Sequence, residues 1–112
     1  MWTRPGYGDH LEESSPGLRE QMSQMGAPDG FVDVVAMLNP LADDDTETPA
    51  HWSVTFAVDE VDATATQAEK LGGEIVDGPT DAPWTRMAVL KDPGGAVFIA
   101  SQFVAENSEL TA

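Results

Sequence analysis

His51, Ser53 and Thr55 alternate along the chain, a spacing that sets three polar side chains on one face of an extended strand. An imidazole beside hydroxyls suits general-base work, metal ligation or plain hydrogen bonding to a ligand. His51 needs a partner for either of the first two, and His10 is the other histidine of the chain. A partly exposed strand-end histidine next to Trp52 is the plainer alternative. Arg86 is one of only five cations. Pointed into a cavity, its guanidinium would hold a carboxylate or phosphate bidentately; pointed outward, it would pair with one of the twenty acids. Ser101 shares a parity with Ile99, and Trp52, Trp84 and Phe103 offer aromatic faces for stacking or for packing. The chain has no cysteine, which excludes a thiolate ligand, a thiolate nucleophile and a disulfide. Gly72-Gly73 and Gly94-Gly95 lack the Gly-x-Gly-x-x-Gly spacing of a phosphate loop.

The elements that must position these groups are clearest after residue 50. Residues 51–58 alternate, with Trp52, Val54, Phe56 and Val58 on one face and His51, Ser53, Thr55 and Ala57 on the other, which predicts a strand. Asp59 can cap a following helix, with Asp62 near the positive end of its dipole. Val61, Ala65, Ala68 and Leu71 recur at helical spacing, and Gly72-Gly73 stops the run. Three extended segments follow: Glu74 to Asp77 before a turn at Gly78-Pro79, Thr85 to Lys91, and Ala96 to Phe103 after the turn Asp92-Pro93-Gly94-Gly95. The order over 51–103 is β-α-β-β-β. Residues 104–112 read as a polar, frayed tail.

The first half is less regular. Gly6 to Glu12 and Phe31 to Leu38 read as strands, residues 14–26 suit either a short helix or an irregular strand, and 39–50 form an acidic, proline-bearing linker. Pro28-Asp29-Gly30-Phe31-Val32 and Pro93-Gly94-Gly95-Ala96-Val97 share Pro-x-Gly-x-Val, and the same offset lays Gly8 on Gly73 and Met22 on Met87. Read as a duplication, residues 1–38 are an abbreviated first module that lacks its opening strand and helix.

With 112 residues the chain fits one domain. Its net charge of −15, spread as ten acids in residues 1–50 and ten in 51–112, excludes a basic footprint for nucleic acid and disfavours anionic membranes. The apolar run Ala96 to Ala100 is far short of the ~20 residues that span a bilayer. Met1 to Gly6 has neither a basic nor an apolar signal region, so the expected compartment is the cytoplasm.

Three markers in order, Val58-Asp59-Glu60-Val61-Asp62-Ala63, Leu71-Gly72-Gly73 and Asp92-Pro93-Gly94-Gly95-Ala96-Val97-Phe98, make residues 51–103 resemble a module of the vicinal oxygen chelate superfamily, the glyoxalase I, bleomycin-resistance and extradiol-dioxygenase group. The resemblance implies an α+β fold: a βαβββ module, here paired with a truncated first module, in a curved mixed sheet with helices on the convex side and a concave cup for a small molecule. It places His51, Ser53, Thr55, Trp84, Arg86, Ile99 and Ser101 as candidates for the cup. Members that use a divalent metal, such as Zn, Fe, Ni or Mn, hold it through His, Gln or Glu on these strands. The matching positions here are Ser53 and Ile99, and neither a hydroxyl nor an alkyl group replaces those donors. The expectation is a protein without a metal cofactor that binds a small aromatic or amphipathic molecule. The alternative is a lyase, isomerase or dioxygenase with a rearranged metal site near His51 or His10. The missing strand and helix leave a sheet edge uncovered, so the expectation is a homodimer with a second copy, or a piece of a longer chain that pairs with another half-module.

Overall fold

Val61, Ala65 and Ala68 sit on one face of a helix that spans Val61–Lys70, and that face makes the core of the second half of the chain. A computed structural model describes residues 1–110. The chain divides into two units, Met1–Pro49 and Ala50–Ala112.

In the first unit, β1 (Trp2–Thr3) pairs antiparallel with β2 (Val34–Ala36). Between them lie α1 (Tyr7–Ser14), α2 (Leu18–Gln24) and a single 3-10 turn, Phe31–Asp33. Gly6 to Glu12 is therefore mostly helix rather than strand, and the strand expected from Phe31 shrinks to three residues. The reason is local hydrogen bonding. The Glu12 carboxylate accepts from the N–H groups of Gly17 (2.7 Å) and Arg19 (3.0 Å), which joins α1 to the start of α2 and holds Glu12 below the usual carboxylate range. Gly8 is buried, and its N–H donates to Asp33 Oδ1 at 2.6 Å. Under the 65-residue offset only β2 meets a like element; α2 falls on a strand.

In the second unit, β3 (Thr55–Ala57), α3 (Val61–Lys70), β4 (Glu74–Ala82), β5 (Thr85–Lys91) and β6 (Val97–Phe103) follow the expected order. The sheet order is β3-β6-β5-β4, with β3 parallel to β6 and the other pairs antiparallel. This is an α+β fold on a mixed sheet. β4 continues through the expected turn at Gly78-Pro79, whose peptide is cis, with register irregularities on either side of Asp77. β3 is far shorter than the alternation over 51–58 suggested. The ladder starts at the Val54 carbonyl, which accepts from Ile99 N–H at 2.9 Å.

Val61 and Ala65 of α3 bury Ala88, Leu90 and Ala100, with Val58, Ala68, Ile75 and Phe98 around them. Phe56 shares this face through its register with Ala100, but it stays 56% exposed because α3 lies over the middle of the sheet and β3 lies at its edge. The N-cap of α3 is Glu60, without a side-chain cap, instead of Asp59. Its first donor is met from across the sheet: Val61 N–H donates to Gln102 Oε1 at 2.9 Å. At the other end Gly72 takes φ +92°, and Gly73 N–H donates to the Ala68 carbonyl while Gly72 N–H donates to that of Glu69, which closes the helix.

Residues 105–109 are not frayed. They form a 3-10 turn in which the Asn107 amide donates to the Thr85 carbonyl (2.8 Å) and to Asp81 Oδ1 (3.1 Å). Residues 111–112 of the expected tail lie outside the described residues.

Candidate functional site

Register alone sorts the side chains of the second unit between two faces. Ala88, Leu90, Ala100 and Phe98 turn toward α3. The open face carries Thr55 and Ala57 from β3, Ile99 and Ser101 from β6, and Met87 and Val89 from β5. Thr55 stands directly opposite Ile99, Ala57 opposite Ser101, and Ile99 opposite Val89. Three sequence candidates, Thr55, Ile99 and Ser101, are thus brought together. Met87 and Val89 were not singled out, although their period-2 spacing with Thr85 was the available signal.

At one end of this face, Trp84 stacks on Phe103 with ring centroids 6.3 Å apart and planes 14° off parallel. Trp84 has φ +64°, a left-handed conformation that costs a bulky residue free energy. Both of its backbone groups are used: its N–H donates to the Asn107 carbonyl, and its carbonyl accepts from Val104 N–H at 2.8 Å. The tail turn and the Phe103 ring together hold the indole at the rim, where it is 38% exposed.

Arg86 goes elsewhere. Its register with Gln102 and Asp81 puts it on the helix side, where Asp62 of α3 takes its Nε (2.8 Å) and Nη2 (3.1 Å), and Asp81 lies 3.3 Å from Nη1. The cup therefore does not receive this cation. The pairing raises the Arg86 guanidinium and holds the Asp62 carboxyl below its ordinary value. His51 and Ser53 precede β3 and are exposed, beyond the reach of the ladder that orients Thr55. His10 lies in α1 of the other unit, its ring 6.2 Å from that of Tyr7.

The open face supplies hydroxyls, alkyl groups, a thioether and aromatic rings. Among the described residues, no three His, Asp or Glu side chains gather where they could hold a cation. The residues present at the expected ligand positions, Ser53 and Ile99, do not fit a divalent metal, and no chemical step is derived through one.

Residues 8–99 match the family model of the Glyoxalase/Bleomycin resistance protein/Dioxygenase superfamily. The chain belongs to this superfamily. Similar members include the protein named "Putative glyoxylase CFP32" of Mycobacterium tuberculosis, 53% identical over 51 residues. That match covers 45% of this chain and 20% of the relative. The anthracycline biosynthesis protein DnrV of Streptomyces peucetius is 50% identical over 48 residues, 43% of this chain and 18% of the relative. The matched stretch thus spans about a fifth of each of these superfamily members. Among solved structures, an uncharacterized protein from Methanosarcina mazei is similar at 32% identity and TM-score 0.43, over 45% of this chain and 41% of that one. No helix among the described residues is long and apolar enough to cross a membrane.

Proposed function

We propose that this superfamily member binds a small aromatic or amphipathic molecule against the open face of its sheet, without a bound metal, and that it does so as a homodimer. The observation that carries the reading is the composition of that face. Thr55, Ile99, Ser101, Met87 and Val89 lie in mutual register, with the Trp84–Phe103 stack at the rim. Apolar walls with a few hydroxyls and a stacking aromatic suit retention of an organic molecule. Nothing on the face suits proton transfer at neutral pH or cation ligation. The anthracycline-pathway name of one relative is in keeping with this reading. The glyoxylase name of another favours the alternative, a metal-dependent lyase, isomerase or dioxygenase with a rearranged site near His51.

Two measurements separate them. Elemental analysis of the purified protein is expected to find no stoichiometric Zn, Fe, Ni or Mn; one equivalent of any of these overturns the metal-free reading. Titration with Nile red, a neutral apolar dye, is expected to give a saturable blue shift. Ile99→Asp should weaken dye binding at least about tenfold by placing a charge on the apolar face. Thr66→Asp on the exposed flank of α3 should leave it unchanged. Equal effects of the two substitutions would move the site off the open face.

A further inference from the structure

The chain contains two Asp-Gly pairs, Asp29-Gly30 and Asp77-Gly78. Such a pair is open to a reaction that needs no enzyme. The glycine nitrogen attacks the preceding side-chain carboxyl, and no Cβ on the glycine crowds the approach. The structure treats the two pairs differently. Gly78 N–H donates to Asp77 Oδ1 at 2.9 Å, so this carboxyl lies against the nitrogen of the next residue, with the carbon to be attacked one bond beyond that oxygen. Asp77 is exposed, and β4 is an outer strand of its sheet. The ladder steps from Asp77 opposite Val89 to Thr80 opposite Met87 with a register shift, and Gly78 lies in that step with φ +80°. At the other pair, Phe31 N–H donates to the Pro28 carbonyl at 3.1 Å and closes a turn around Asp29 and Gly30. Among the described residues, the Asp29 carboxyl accepts no hydrogen bond from Gly30 N–H.

We propose that Asp77 is a site of self-modification, isomerising through a cyclic imide to an isoaspartyl residue in the folded protein. The Gly78 nitrogen forms a bond to Asp77 Cγ, the Cγ–O bond of the protonated carboxyl breaks, and the amide proton leaves with that hydroxyl as water. Water then reopens the ring at either carbonyl. Opening at the main-chain carbonyl leaves the chain running through Cβ and Cγ, with the free carboxylate on Cα. Nothing is oxidised or reduced, and the mass is unchanged. The backbone gains one carbon partway along β4. Thr80, Asp81 and Ala82 can then no longer keep their register with Met87, Arg86 and Thr85 while Glu74 and Ile75 keep theirs with Lys91 and Leu90. Asp81 is drawn from the Arg86 guanidinium (3.3 Å) and from the side-chain amide of Asn107 (3.1 Å), the residue whose carbonyl holds Trp84 N–H. The modification thereby reaches the aromatic rim of the open face from an exposed strand. That last consequence rests on the ligand reading above; the isomerisation does not.

Incubation in heavy-oxygen water at about pH 5, where a fraction of the carboxyls is still protonated, labels each imide that forms and reopens. Peptide mapping reads the label by position. In the native protein Asp77 should take up label at least about threefold faster than Asp29, because the fold holds the reacting groups together. In denaturing guanidinium chloride the two rates should converge. An isoaspartate-specific carboxyl methyltransferase, supplied with labelled S-adenosylmethionine, should methylate the aged native protein. Asp77→Glu, whose longer side chain would have to close a larger ring, should be methylated much less. Label at Asp29 equal to or ahead of that at Asp77 in the native state overturns the proposal, as does undiminished methylation of Asp77→Glu. If Asp77→Glu fails to fold, the isotope map of the wild type alone decides. Isoaspartate at 77 with unaltered Nile red binding would keep the modification and sink its link to the open face. Normal dye binding with no isoaspartate would sink the modification and leave the ligand reading intact.

Discussion

At the scale of single residues, the most telling placement is that of Arg86. A chain with five cations and twenty acids sets one of the five between Asp62 and Asp81 on the helix side of the sheet. The pair ties α3 to β5 and removes positive charge from the open face, so anionic ligands have no obvious anchor there. The pH consequence follows from Asp62, whose carboxyl is held low chiefly by its hydrogen bonds to Arg86. A depressed folded value means that the contribution to stability is complete above the unfolded value of about 3.9 and is lost as the pH falls through the folded one. Asp62→Asn should therefore lower the urea midpoint near pH 7 and flatten its decline as the pH falls below about 4. If the variant declines as steeply as wild type, the ion pair contributes nothing to acid stability. Since Asp62 is about half exposed, the effect should be modest.

At the scale of elements, α3 and the strands under it form the only described core cluster, and it is small. Leu90 is fully buried, and Leu90→Ala should cost about 2–5 kcal/mol. That is about half of the stability expected of a unit this size, at roughly 0.05–0.15 kcal/mol per residue. The close of α3 is equally exacting. A Cβ at Gly73 would lie 2.7 Å from the Lys91 carbonyl oxygen and 3.0 Å from that of Ala68, both of them backbone atoms. Gly73→Ala should lose about 1–3 kcal/mol in urea unfolding, and a neutral result would mean that the turn shifts freely.

At the scale of the whole molecule, charge dominates. Twenty acids against five cations repel one another wherever the chain is condensed. Raising NaCl from about 0.01 M to about 1 M shortens the screening length from about 30 Å to about 3 Å. The melting temperature should then rise by several degrees, on the order of 5 °C per kcal/mol of repulsion removed. A melting temperature that falls with salt would place the weight on attractive pairs such as Arg86–Asp62 instead.

What the sequence determined by itself was local and periodic. Helical spacing over residues 61–71, glycines at 72 and 73, the Asp92-Pro93-Gly94-Gly95 turn and the extended run at 85–91 are each encoded within a few residues, and together they specify β-α-β-β-β. Parity within a strand likewise put Ile99 and Ser101 on one face. The tertiary structure alone decided what depends on partners distant in sequence. Arg86 takes its face from its register with Gln102 and its partner from α3. Asn107 turns a polar tail into a brace through acceptors more than twenty residues away. Glu12 ties α1 to the start of α2 by accepting from Arg19 and Gly17 across the intervening turn. β3 ends where its ladder with β6 ends, however far the alternation in the sequence extends. Periodicity is a property of neighbouring residues, whereas a strand's length, a cation's partner and an open edge are properties of whatever chain lies alongside.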